Sequence, residues 1–162
     1  MHLFSNNRLT PHQSGNRKYH STETLNLLVG DTILENMNNK FLTALILLGL
    51  SKALDSIRHS ILLEKLAHVG TSPGALKWFK SYLTGRSQRV RIGSTVTSQL
   101  LITHGVPQGA ILSPLLFCIY LNDLPSSPLS WQLESYVDDS KVQLPFKVKD
   151  LALAKQNLEE DL

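Results

Sequence analysis

Trp131–Phe146 reads WQLESYVDDSKVQLPF. Two short runs of strand type flank Asp138-Asp139-Ser140, which predicts a β-hairpin with an aspartate pair at its turn. Adjacent carboxylates on a rigid hairpin can hold a hard divalent ion such as Mg²⁺, which prefers oxygen ligands and keeps part of its water shell. Asp is equally at home in an ordinary solvated turn. The pair needs support from the rest of the chain.

Upstream of the hairpin lies Gly105-Val106-Pro107-Gln108-Gly109. Two glycines around a proline and a glutamine make a stiff loop whose backbone a ligand can approach closely, although such a loop also serves as a plain strand-to-helix connection. Ser113-Pro114 then opens a helix lined by Leu115, Leu116, Ile119 and Tyr120. Before the loop, Arg86–Ile92 and Thr95–Thr103 are β-type runs separated by Gly93-Ser94, a hairpin signal. Two helical patterns precede them. One runs from Ser56 to Val69 and is closed by Gly70, and the other runs from the Ser72-Pro73 start to Gly85. Trp78, Phe79 and Tyr82 fall on the second helix and read as core.

Phe41 to Leu48 is almost continuously apolar, as expected of a central strand covered on both faces. Ser21 and Thr22 offer an N-cap to a helix reaching Asn38, with Leu25, Leu28, Val29, Ile33 and Met37 at helical spacing. Residues 1–20 are polar and read as loop. A last amphipathic helix begins beyond Lys147. Helices and strands are mixed without regular alternation, so the predicted class is α+β.

The 162 residues suit one domain with one core, and 42% hydrophobic with 18% charged content excludes wholesale disorder. A net charge of +3 is compatible with a polyanionic partner without requiring one. Cys118 is the only cysteine, which rules out an internal disulfide and a cysteine-based zinc site. The start of the chain has no apolar leader, and the Leu42–Leu50 run is about half the length a membrane span needs. The expected setting is intracellular, nucleus or cytoplasm, away from membranes.

GVPQG, then ILSPLLFCIYLNDL, then YVDD resembles the B and C motifs of reverse transcriptases. LSKALDSIRHSILLEKL resembles the A motif and following helix of the non-LTR (LINE-like) retrotransposon branch. Pro11-His12-Gln13-Ser14-Gly15-Asn16-Arg17 followed by His20-Ser21-Thr22-Glu23-Thr24 resembles that branch's fingers motif. The likeness runs over nearly the whole chain in the family's order. It implies a right-hand polymerase palm with an antiparallel sheet and packed helices, plus part of the fingers. Residues 1–40 would be fingers, and 41–162 mostly palm with some fingers-type helix and hairpin. A thumb and an endonuclease are not expected within this length.

The resemblance further implies RNA-directed DNA synthesis by two-metal nucleotidyl transfer, with Mg²⁺ or Mn²⁺ as cofactor. RNA template, DNA primer and deoxynucleotides would be the partners. Asp138 and Asp139 match the metal-binding pair, and Arg17 matches an arginine facing the incoming triphosphate. Leu54 stands where the family has an aromatic wall against a ribose 2′-hydroxyl. Gln108 matches the loop beside the nascent base pair. Gly105, Pro107, Gly109, Tyr136 and Val137 belong to the template and primer loops. Lys77, Lys80, Arg86, Arg89 and Arg91 fall where family members approach nucleic-acid backbones, and equally read as a solvated face.

One position departs decisively. The family's A motif carries a metal-ligating Asp six residues before the position of Asp55, and here that position is Gly49. Six residues of extended chain span about 20 Å, so Asp55 does not obviously substitute. The expectation is a polymerase palm with an incomplete metal site. A piece of a longer active polymerase and a nucleic-acid-binding remnant without catalysis remain as alternatives.

Overall fold

The structure is a computed structural model that describes residues 8–126 and 131–161. Residues 8–20 are irregular, as the polar sequence there predicts, while residues 1–7 lie outside the described part. The chain divides into two compact units, Lys52–Tyr120 and a second one built from Leu9–Ser51 with the residues after Tyr120.

The second unit is organised by a sheet. Strand β1 (Leu42–Gly49), β6 (Gln132–Tyr136) and β7 (Asp139–Phe146) are ordered β1-β7-β6, all antiparallel. The register runs from Leu42 opposite Phe146 to Gly49 opposite Asp139. Strand β6 meets β7 only as far as Gln143, so Pro145 falls where β7 has β1 alone as neighbour and its missing N–H interrupts no ladder on the other side. Beyond β6, the backbone of His12–Ser14 adds in parallel, with Ser14 N donating to Ser135 O at 2.8 Å and Ser135 N to His12 O at 2.9 Å.

Helix α1 (Thr22–Asn38) starts where the polar segment offers Ser21. The Ser21 hydroxyl accepts from Thr24 N at 3.1 Å and the Thr24 hydroxyl accepts from Ser21 N at 2.8 Å, a reciprocal cap. Leu25 and Val29 are buried, while Leu28 and Met37 of the same predicted stripe stay exposed. Helix α1 packs on β1 and β6, and α5 (Leu151–Asp161) returns to β7 through buried Ala154.

Two expectations fail here. β1 is an edge strand, and Leu42, Leu45 and Leu47 are exposed, Leu47 by 69%. A continuous apolar run reports on side-chain chemistry and not on how many strands flank it. The hairpin turn is Val137-Asp138, and Asp139 is already the first residue of β7, opposite Tyr136.

The first unit is mainly helical. Helix α2 (His59–His68) packs against both α3 (Pro73–Leu83) and α4 (Ser113–Tyr120). Ile57, Leu62, Leu66, Leu83, Leu116, Phe117 and Ile119 form its core, each burial contributing on the order of 1.5–3 kcal/mol. Cys118 is buried among them as a small hydrophobe. Ser72 caps α3 through Ala75 N at 3.4 Å with Pro73 in the first turn, and Gly70 closes α2 at φ +90°. The strand-type runs form two short ladders. Ser87–Gln88 (β2) pairs with Leu100–Leu101 (β5), and Arg91–Ile92 (β3) pairs with Thr95–Val96 (β4), turning at Gly93. Trp78 is not core: it is 53% exposed and stacks on Tyr82. No helix among the described residues is long and apolar enough to cross a membrane.

Gly105 joins the loop to the segment before α2. Gly105 N donates to Ile57 O at 2.8 Å, and Val106 N donates to Leu54 O at 2.9 Å. At φ +82°, a Cβ on Gly105 would stand 2.9 Å from Asp55 Cα and 3.0 Å from Leu54 O. Gly105→Ala should therefore lower stability by about 1–3 kcal/mol from backbone conformation alone, with the steric clash added. Urea unfolding measures it; a change within about 0.5 kcal/mol, the range of an ordinary surface substitution, would contradict the close approach.

Candidate active site

The carboxylate pair is placed by the β6–β7 hairpin. Asp138 occupies the second position of its two-residue turn, Asp139 opens β7, and both are exposed. Val137 holds the first turn position at φ +57°. A β-branched residue in the left-handed region costs on the order of 1–3 kcal/mol and persists only where its surroundings enforce it. The surroundings here are Gln13, whose amide oxygen accepts from Val137 N at 2.9 Å and whose amide nitrogen donates to Val137 O at 3.1 Å.

Gly49 ends β1 directly opposite Asp139, and Leu50 N donates to Asp138 O at 3.3 Å. Paired positions of an antiparallel ladder share a face and stand about 5 Å apart. Strand β1 thus delivers its last residue to the aspartate pair, and that residue has no side chain. A Cβ built on Gly49 would meet nothing within 4 Å, so there is room for one.

Among the described residues no three His, Cys, Asp or Glu side chains are grouped to hold a metal ion. Asp138 and Asp139 suit a single hard divalent ion that retains water and takes further oxygens from a ligand. They do not supply a ligand between two ions. The donor set fits one cation and not a pair.

Arg17, in the same unit, directs its guanidinium to the carbonyls of Leu9 and Thr10, which ties the irregular segment together. His12 Nδ1 lies 2.6 Å from Glu134 Oε1 beside it. Tyr136 is half-buried at the end of β6.

The first unit carries the other predicted residues. Gly105, Pro107, Gln108 and Gly109 form the loop before α4, with Gly109 at φ +76° and the Ser113 hydroxyl donating to Pro107 O at 2.5 Å. Gln108 Nε2 donates to both carboxylate oxygens of Asp55, at 2.8 and 2.9 Å. A carboxylate only accepts, so the Gln108 amide must turn its nitrogen to Asp55 and keep Oε1 as the acceptor available to a ligand. His59 Nε2 reaches Gly105 O at 2.7 Å. Leu54 is half-buried, with its carbonyl engaged by Val106. Lys52, Asp55, Arg86, His104 and Gln108 line an open cleft of about 690 Å³.

Two contributions escape the sequence. Gln13 lies within the motif quoted for the fingers, but nothing in that polar segment's spacing points to its bonds with Val137. Asp55 matters as the partner of Gln108, 53 positions away, and not as a stand-in for the absent ligand.

Comparison with known proteins agrees with the family that the motifs resemble. The model of the family described as "Reverse transcriptase (RNA-dependent DNA polymerase)" matches residues 1–160. The "Probable RNA-directed DNA polymerase from transposon X-element" of Drosophila melanogaster is 35% identical over 81% of this chain and 15% of its own length. The "Probable RNA-directed DNA polymerase from transposon BS" of the same organism is 30% identical over 85% of this chain and 16% of its own length. The "RNA-directed DNA polymerase from mobile element jockey" is 29% identical over 93% of this chain and 17% of its own length. The chain thus spans about one sixth of the relatives it matches. The antiparallel sheet with its packed helices is the palm-like fold of that family. The chain belongs to the reverse transcriptase (RNA-dependent DNA polymerase) family, on the non-LTR retrotransposon side.

Proposed function

We propose that this chain is the palm portion, with part of the fingers, of an RNA-directed DNA polymerase that retains nucleic-acid contacts but is deficient in nucleotidyl transfer. The observation that carries the deficiency is Gly49 opposite Asp139 in the β1–β7 register. Family members use two cations, and the ligand set here lacks the carboxylate that would lie between them. A divalent ion bound by Asp138 and Asp139, Mg²⁺ or Mn²⁺, would offset charge on a triphosphate.

The remaining roles rest on this chain's own groups. Asp55 orients Gln108 so that its carbonyl oxygen is offered to a nucleotide or base pair beside the loop. Leu54 packs where a larger wall would discriminate the sugar. Arg17, with its carbonyl partners on Leu9 and Thr10, orders the segment that would meet the triphosphate.

Purified chain supplied with RNA template, DNA primer, Mg²⁺ and deoxynucleotides should show little or no extension. Losing even a neutral group that stabilises developing charge costs about 10²–10³ in rate, and an anionic ligand should cost more. Robust extension that disappears in Asp138→Asn would contradict the proposal and imply a substitute ligand.

Retained binding is supported by charge. Between Glu64 and Asp123 the chain holds Lys65, Lys77, Lys80, Arg86, Arg89 and Arg91 and no carboxylate. Filter binding of single-stranded RNA should weaken with salt on a log–log scale, and Arg86→Ala should reduce the slope by about 0.7, the value for one phosphate contact. A slope near zero in the parent chain would remove the nucleic-acid reading.

A further inference from the structure

We infer that Gln13 is a positioning residue for the carboxylate turn: it clasps Val137 at both its N–H and its C=O and so fixes where Asp138 and Asp139 stand. The inference rests on the proposal that those aspartates are the metal-binding pair.

Gln13 is buried, 3% exposed, so its amide depends on protein partners. Its Oε1 accepts from Val137 N at 2.9 Å and from Gly15 N at 2.8 Å, and its Nε2 donates to Val137 O at 3.1 Å. Val137 N–H can only donate and its carbonyl only accept, so chemistry dictates the orientation of the Gln13 amide. One side chain thereby supplies to the turn residue what a neighbouring strand supplies elsewhere in a sheet.

The base of the clasp is firm. Gln13 is bridged in parallel to Ser135, two residues before Val137, and the flanking backbone bonds of His12 and Ser14 hold that register. Gly15 permits the approach: a Cβ there would stand 2.8 Å from Val137 Cγ2 and 2.9 Å from Val137 N. Val137 lies at φ +57°, a conformation valine does not adopt by preference. A buried amide that grips both backbone groups of a strained residue opposes relaxation of the turn, and relaxation would re-aim the two aspartates that follow.

Two readouts test this. In the parent chain, Gln13→Met keeps the bulk and removes the hydrogen bonds. Hydrogen exchange at the Val137 amide should accelerate about tenfold, while Val142 in the middle of β7 keeps its protection. In the Gly49→Asp chain, titrated with Mn²⁺ alone and followed by electron paramagnetic resonance, Gln13→Met should weaken affinity by about tenfold or more.

The same substitution in a Gly49→Asp, Val137→Gly background should weaken Mn²⁺ affinity less than about twofold, because glycine takes the left-handed conformation without strain. A glutamine that merely packs would cost the same in both backgrounds, and that equality would overturn the proposal. So would unchanged Val137 exchange. If Gln13→Met does not fold, Gly15→Ala keeps the clasping side chain but crowds Val137, and it should move both readouts in the same direction. Accelerated Val137 exchange with no Mn²⁺ binding by the Gly49→Asp chain would support the clasp and overturn the metal assignment of the aspartates.

Discussion

The eight-residue pairing of β1 with β7 is the constraint on which the site depends. It sets Gly49 against Asp139, and a slip of one residue would turn every side chain of β1 to the opposite face of the sheet. Because the hairpin turn follows β6 without slack, the same register places Asp138 within reach of the Leu50 amide. The two aspartates stand on a braced turn, and the position beside them is open space.

That open space is where the proposed loss of activity rests. The end of β1 and the turn of the β6–β7 hairpin stand side by side. What is missing is a side chain, not an element. A glycine at the end of an edge strand costs little in packing, since nothing lies within 4 Å of where its Cβ would be. Clustered carboxylates without a cation repel one another, so the fold loses nothing when one of them is absent. The fold can therefore persist without a side chain at position 49.

Much of this was legible in the residues. The Ser21 cap, the Ser72-Pro73 start, the Gly70 stop and the Gly93 turn rest on local backbone chemistry, and each element forms where that chemistry says. The YVDD hairpin was legible to within one residue. The one-residue difference has a physical reason, because propensity argues against valine at a left-handed turn position, where the distant Gln13 bonds both of its backbone groups. The edge placement of β1 and the exposure of Trp78 were not legible for a different reason: apolar character does not report which neighbours a strand or helix finds. Likewise Asp55 and Gln108 meet only because Gly105 lets the loop close on Asp55.

Whether Gly49 faces the Asp138–Asp139 pair and leaves it one carboxylate short is decided by melting temperature against Mn²⁺ concentration for the parent chain and Gly49→Asp. Without metal the variant should melt below the parent, since like charges would be brought together. With rising Mn²⁺ it should gain stability by mass action on the folded state, about 2.7 kcal/mol when the ion is at a hundred times its dissociation constant, while the parent responds weakly. Equal responses of the two proteins would mean that Gly49 does not face the pair.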